Sequence, residues 1–113
     1  METIPCETLE INEEDFYVRE YEQYLNKHVV VMLKDNKFYY GLFKSFDQYL
    51  SVTLNYAVER IFHEEMYAEK FHGLMAIRGD TISLIGLSKH DFKDYQKLEY
   101  SELVEIIKKA NEL

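Results

Sequence analysis

Tyr49, Ser51, Arg78 and Gly79 are residues whose types could grip a ligand. A tyrosine ring can stack on a nucleobase, a contact worth about 1–3 kcal/mol, because every base has a π face. An arginine guanidinium can stack as a plane or donate to base edges and phosphates. A serine hydroxyl can hydrogen-bond an exposed base edge, and glycine lets backbone approach a ligand closely. Tyr49 closes the stretch Phe46-Asp47-Gln48-Tyr49, and Arg78-Gly79 lie within Ile77-Arg78-Gly79-Asp80, about thirty residues later. Taken singly, Tyr49 reads as an ordinary strand aromatic and Arg78-Gly79-Asp80 as a hairpin turn. Laid side by side, the two stretches would form a slot for one flipped-out base.

Other chemistry finds less support. Asp47 and Asp80 could be imagined as an acid/base pair, but an aspartate after a strand more commonly accepts hydrogen bonds from loop amides. His28, His63, His72 and His90 have no metal-ligand spacing. The chain has no phosphate-cradling glycine loop and no nucleophile elbow. We expect neither an enzyme nor a bound metal or cofactor.

The elements needed to present the two stretches are legible around them. Asn12 followed by Glu13, Glu14 and Asp15 predicts a helix start, since Asn caps and early acids suit the helix dipole. Tyr17, Tyr21, Tyr24 and Leu25 then form one apolar stripe. Val29–Leu33 reads as a strand, Asp35-Asn36 as a turn, and Phe38–Phe46 as a long strand bent or bulged at Gly41. Alternation from Leu50 to Val58 predicts a third strand, continuing to Ile61 or Phe62. His63–Phe71 is polar and reads as a loop. Leu74–Ile77 and Thr81–Ile85 complete five strands, which suggests a small antiparallel barrel. Residues 1–11 read as a flexible arm, 12–87 as the domain, and 88–113 as an extension ending in a helix from Ser101 to Leu113, with Ser101 as its cap.

Bulk properties bound the function. A chain of 113 residues with 47% hydrophobic content suits one globular domain. No apolar run approaches a membrane span, and no secretory leader is evident, so no membrane partner is expected. Cys6 is the only cysteine; it excludes an internal disulfide and a cysteine zinc site and suggests a reducing compartment. The net charge of −8 argues against a free-standing nucleic-acid binder. Much of that charge is local, however. Residues 1–24 hold eight acids against one base, Arg19, while the rest of the chain is nearly balanced.

The run Gly41-Leu42-Phe43-Lys44-Ser45-Phe46-Asp47-Gln48-Tyr49 resembles the first motif of the Sm and Sm-like (Lsm) family. Ile77-Arg78-Gly79-Asp80, with Ile82 and Leu84 after it, resembles the second. The resemblance covers about Tyr21 to Gly86, three fifths of the chain. It implies an Sm fold, mainly β: an N-terminal helix, then a five-stranded, strongly bent, open antiparallel barrel, here with a C-terminal helical extension. It implies RNA contacts by Asp47, Tyr49, Ser51, Arg78, Gly79 and Asp80. Tyr49 would stack on the base, Ser51 would meet its edge, and Arg78 would close the pocket. Ser51 departs from the family, which usually has Asn there. The resemblance further implies edge-to-edge assembly, the fourth strand of one subunit pairing with the fifth of the next. The interface would then hold Leu74, Met75, Ala76, Ile77, Ile82, Ser83, Leu84 and Ile85.

Within the family, Val58-Glu59-Arg60-Ile61 and Tyr67-Ala68-Glu69, together with the helical tail, resemble one branch of subunits. That branch belongs to a cytoplasmic seven-membered ring. The resemblance implies other Lsm subunits, a Pat-type decapping adaptor and single-stranded mRNA 3′ ends as partners, with location in the cytoplasm and P-bodies. The alternatives are a nuclear Lsm ring on a uridine-rich spliceosomal RNA, or an Sm-type protein-interaction module that never touches RNA.

Overall fold

The computed structural model describes residues 13–89 and 92–111, with side chains described from Val18 onward. The expected acidic arm, the Asn12 cap, His90 and Leu113 lie outside the described residues, as does the side chain of Tyr17. Helix α1 spans Glu13–Glu22. It is followed by β1 (His28–Leu33), β2 (Phe38–Phe46), β3 (Val52–His63), β4 (Met66–Ile77), a single 3-10 turn (Gly79–Thr81), β5 (Ile82–Leu87), β6 (Gln96–Lys97) and α2 (Tyr100–Asn111).

The strands form one sheet in the order β5-β1-β2-β3-β4-β6. All neighbours are antiparallel except β4 and β6. Alternate residues of the first three strands turn to one face. Val29, Val31, Tyr39, Phe43, Val52, Leu54 and Ala57 are buried there with Ile77. The residues of the predicted stripe cap this core, although the helix ends at Glu22 and Tyr24 and Leu25 lie in the turns after it: Tyr21 is buried with its ring edge-on to Phe43 and Phe46, while Tyr24 and Leu25 pack against the cluster.

The bend needed to wrap such a core is at Gly41, where the β2–β3 register slips between Tyr40 and Leu42. A Cβ at Gly41 would stand 3.0 Å from the Asn55 carbonyl oxygen and 3.2 Å from the Ala57 Cα. The register slip is the bulge that the mid-strand glycine predicted, and two backbones also cross closely there. Asn36 takes a positive φ of 66°, in keeping with the predicted Asp35-Asn36 turn.

One segment differs from expectation. His63–Phe71 is not a loop. The β3–β4 hairpin runs through it and turns at Glu64 and Glu65 alone. Its polar residues are cross-strand partners: Arg60 pairs with Glu69 in register, its Nε 3.1 Å from the carboxylate, and Phe62 pairs with Tyr67. Charge on the outward face of a strand hides the period-2 signal when only hydrophobicity is followed. The helix of the extension begins at Tyr100, so Ser101 lies inside it rather than capping it.

The extension folds back on this hairpin. Gln96 N donates to Glu65 O and Leu98 N to Tyr67 O, both at 2.8 Å, which adds β6 to the β4 edge. Phe92 and Tyr95 enter an aromatic cluster with Phe62 and Tyr67, and the Arg60 guanidinium lies 4.4 Å from the Tyr40 ring centre and 4.8 Å from that of Phe92. Helix α2 packs against β3 and β4 and buries Leu103 completely.

Candidate nucleic-acid site

The β2–β3 loop and the β4–β5 loop are adjacent because β3 lies between β2 and β4. Val52 at the start of β3 pairs with Ile77 at the end of β4. The residues just before Val52 and just after Ile77 therefore meet.

Each loop is held by hydrogen bonds within itself. Asp47 Oδ1 accepts hydrogen bonds from the amides of Tyr49 (2.9 Å) and Ser51 (3.0 Å), and its carbonyl accepts from Leu50 N (3.0 Å). Leu50 thereby takes a positive φ of 61°. Asp47 thus shapes the loop, as an aspartate after a strand commonly does. In the second loop, Arg78 O accepts from Thr81 N at 3.1 Å and from Thr81 Oγ1 at 2.7 Å, and the Arg78 Nη2 donates to Asp80 at 3.0 Å.

The two loops are then clasped together. Gly79 N donates to Ser51 Oγ at 3.1 Å. A Cβ on Gly79 would fall 2.2 Å from the Tyr49 carbonyl oxygen and 2.8 Å from the Leu50 carbonyl carbon. Glycine is required because the other loop's backbone is there, a different reason from the close approach of a ligand that its type alone suggested.

The clasp forms one end of an open cleft of about 860 Å³. Tyr49, Ser51, Arg78, Gly79 and Asp80 all line it; Asp47 does not. Tyr49 is 75% exposed and the Arg78 side chain 81% exposed, so one ring face and one cation are presented on a rigid base. Sequence reasoning missed Glu20 and Tyr21 from α1, Tyr24 from the turn after it and Leu50 from the loop, which line the same cleft. Tyr21 and Tyr24 were legible as a helix stripe, but nothing in the stripe said that the helix would wall a cleft.

The residues expected at subunit edges divide in two. Leu74, Ala76, Ser83 and Leu84 are exposed, Leu74 to 72% and Leu84 to 64%. Ile77 is buried, and Met75, Ile82 and Ile85 pack against the core. β4 and β5 stand at opposite ends of the five-stranded portion of the sheet.

A second polar cluster lies away from the cleft. Glu59 is 6% exposed and accepts hydrogen bonds from the hydroxyls of Tyr39 (3.1 Å) and Tyr100 (2.7 Å), with His72 Nε2 at 3.5 Å. Burial pushes the Glu59 carboxyl up, but the Tyr100 and Tyr39 hydroxyls, aided by Lys37 and His72, outweigh it and hold the group below its ordinary value. Burial, with the Glu59 charge beside it, pushes Tyr39 up to about 12. Its hydrogen bond to Glu59, with burial, raises Tyr100. Among the described residues no group of acids, histidines or cysteines could hold a metal ion.

A bent, open five-stranded sheet capped by an N-terminal helix, with its loops clasped over one cleft, defines an Sm-fold protein. The chain matches the LSM domain over residues 19–87, and it belongs to the LSM-domain family. Among its relatives is the LSM1-LSM7 complex subunit lsm1 of Schizosaccharomyces pombe, 36% identical over 56% of this chain and 45% of that one. The Sm-like protein LSM1A of Arabidopsis thaliana is 37% identical over 63% and 56%. The U6 snRNA-associated Sm-like protein LSm8 of Homo sapiens is 35% identical over 58% and 69%. The chain spans about half the length of the first two. A heptameric archaeal Sm protein superposes with a TM-score of 0.54 at 27% identity, covering 62% of this chain and 97% of that one. The Sm protein of Pyrococcus abyssii, solved with a uridine heptamer, superposes with a TM-score of 0.55 at 28% identity, covering 63% and 96%.

Proposed function

We propose that this chain is an RNA-binding subunit of a hetero-heptameric Lsm ring in the cytoplasm. That ring grips the 3′ end of deadenylated mRNA, engages a Pat-type adaptor, activates decapping and so promotes 5′-to-3′ decay. The reading rests on one observation: the Gly79–Ser51 clasp, which joins both motif loops in a single cleft with Tyr49 and Arg78 exposed. One base stacks on Tyr49, Arg78 meets its edge or phosphate, and Ser51 touches the edge. Asp47 and Asp80 act indirectly, by holding the Tyr49 loop and aiming Arg78.

The similarity to LSM1 subunits supports the cytoplasmic ring. Assembly is proposed through the exposed edge residues Leu74, Ala76, Ser83 and Leu84, β4 of one subunit pairing with β5 of the next. An open sheet edge with apolar side chains favours such pairing. Within a ring, neighbours supply the basic surface that an acidic subunit lacks. The similarity to LSm8 is the observation that favours a second reading, a nuclear ring on a uridine-rich spliceosomal RNA.

Co-purification of the chain with mass spectrometry of its partners tests these readings. Lsm subunits with decapping factors are expected. The same subunits with spliceosomal proteins would move the assignment to the nucleus, and no Lsm partner at all would leave only an interaction module. Leu84→Asp is expected to abolish ring formation while leaving the monomer folded. A charged residue at Ile82 would be a poorer test, because Ile82 also packs on the core.

A further inference from the structure

Stacking on Tyr49 does not by itself select a base, since all bases stack. Selection needs neighbouring polar groups that match a donor and acceptor pattern, usually two together. In the two motif loops most such groups are already engaged. Asp47 Oδ1 takes two loop amides, and Arg78 Nη2 donates to Asp80. The Gly79 amide is turned onto Ser51 Oγ at 3.1 Å. A serine hydroxyl carries one proton and two lone pairs, and one lone pair here is taken. What remains for a ligand is one O–H and one lone pair on a single atom. The other Arg78 N–H groups are donors only and serve any carbonyl, ring nitrogen or phosphate equally.

We infer that Ser51 makes this slot tolerant of base identity, so that the bound RNA nucleotide can be uridine, cytidine or adenosine at similar strength. A lone rotatable hydroxyl donates to a uracil carbonyl, a cytosine carbonyl or an adenine ring nitrogen with equal ease. It meets uracil's N–H and flanking carbonyl together only through two bent, weakened hydrogen bonds on one atom. The clasp that builds the slot thus consumes part of its means of discrimination. The inference rests on the RNA-slot reading above and adds the class of nucleotide it admits.

The test uses fluorescence anisotropy of the assembled complex with oligouridylate, oligocytidylate and oligoadenylate of one length. Wild type is compared with Ser51→Asn, Ser51→Ala and Tyr49→Ala, so that all other subunits are common. Ser51→Asn is expected to raise the uridine-to-adenosine and uridine-to-cytidine ratios on the order of tenfold, the discrimination of one bidentate base contact. Ser51→Ala is expected to leave both ratios unchanged. A loss of uridine preference in Ser51→Ala, or unchanged ratios in Ser51→Asn, would overturn the inference. Tyr49→Ala separates the two levels: weaker binding to all three oligomers keeps the slot, whereas unchanged binding overturns the slot and the inference together.

Discussion

The Tyr49 cleft and the Glu59 cluster put similar residue types to opposite uses. At the cleft, the loops are held mainly by backbone amides and the short side chains Asp47 and Ser51, so Tyr49 and Arg78 stay exposed even though one Arg78 nitrogen pairs with Asp80. At Glu59 the side chains themselves are consumed: a buried carboxylate takes both tyrosine hydroxyls, one from the barrel and one from the extension. A tyrosine poised for a ligand and a tyrosine tying two elements together are distinguished by where their hydrogen bonds go. The first region should therefore tolerate side-chain loss and resist backbone change. The second should behave the other way round.

The largest effect is expected from Gly79→Ala, because its Cβ must displace backbone rather than a flexible side chain. A loss of about 3 kcal/mol or more of stability by denaturant unfolding would fit overpacking at a site that cannot yield. Stability within about 0.5 kcal/mol of wild type would mean that the clasp is loose and the contrast false.

Glu59→Gln comes next. It replaces a charged acceptor of two hydroxyls by an amide with one acceptor oxygen, for an expected cost of about 2–3 kcal/mol. It should also remove an acid-side pH dependence. The folded-state carboxyl sits below its unfolded value, so its stabilisation is complete above about pH 4.5 and disappears as pH falls through the lower, folded-state value. Tyr39 acts at the other end. Its folded-state value is above the unfolded one, so its contribution is present below about pH 10 and is lost as pH rises towards about 12. Unfolding curves across both ranges check these signs; an unchanged acid limb in Glu59→Gln would show that Glu59 is not the group responsible.

Tyr100→Phe keeps the ring and removes one hydroxyl, with about 1 kcal/mol expected. Hydrogen exchange should then rise in α2 before it rises in the barrel. Equal acceleration in both would mean that the extension and barrel open as one unit. Tyr49→Ala should have the smallest effect on stability, within about 0.5 kcal/mol, while RNA binding weakens by about 1–3 kcal/mol. A destabilisation as large as that of Glu59→Gln would erase the distinction between the two regions.

Much of the barrel was legible because its signals are local. Gly41 marks a bulge, Asp35-Asn36 tolerate positive φ, and alternation follows the pleat at Val52 and Leu54. It then slips: Tyr56, expected on the same face, takes a positive φ and is exposed, and Ala57 is buried in its place. The motif pair said that Tyr49, Ser51, Arg78 and Gly79 would lie side by side, and they line one cleft, since residues flanking paired strands must meet. The hairpin through His63–Phe71 was missed because Glu69 and its neighbours look like loop residues until Arg60 stands opposite. Glu20 could not be placed at the cleft, since a helix stripe says which face is apolar and nothing about what stands beside it.

The sequence by itself determined most of the elements, their order, the bend and the two motif loops, though not the start of β4 or the strand β6, because propensity, turn chemistry and periodicity act over a few residues. Only the tertiary structure decided three further things. Gly79 is needed for the Tyr49 backbone, the Ser51 hydroxyl is partly spent on the clasp, and Glu59 is buried between the barrel and the returning extension. Each depends on groups from 28 to 41 residues apart, brought together by strand register or by the return of the extension. No local pattern records such a meeting.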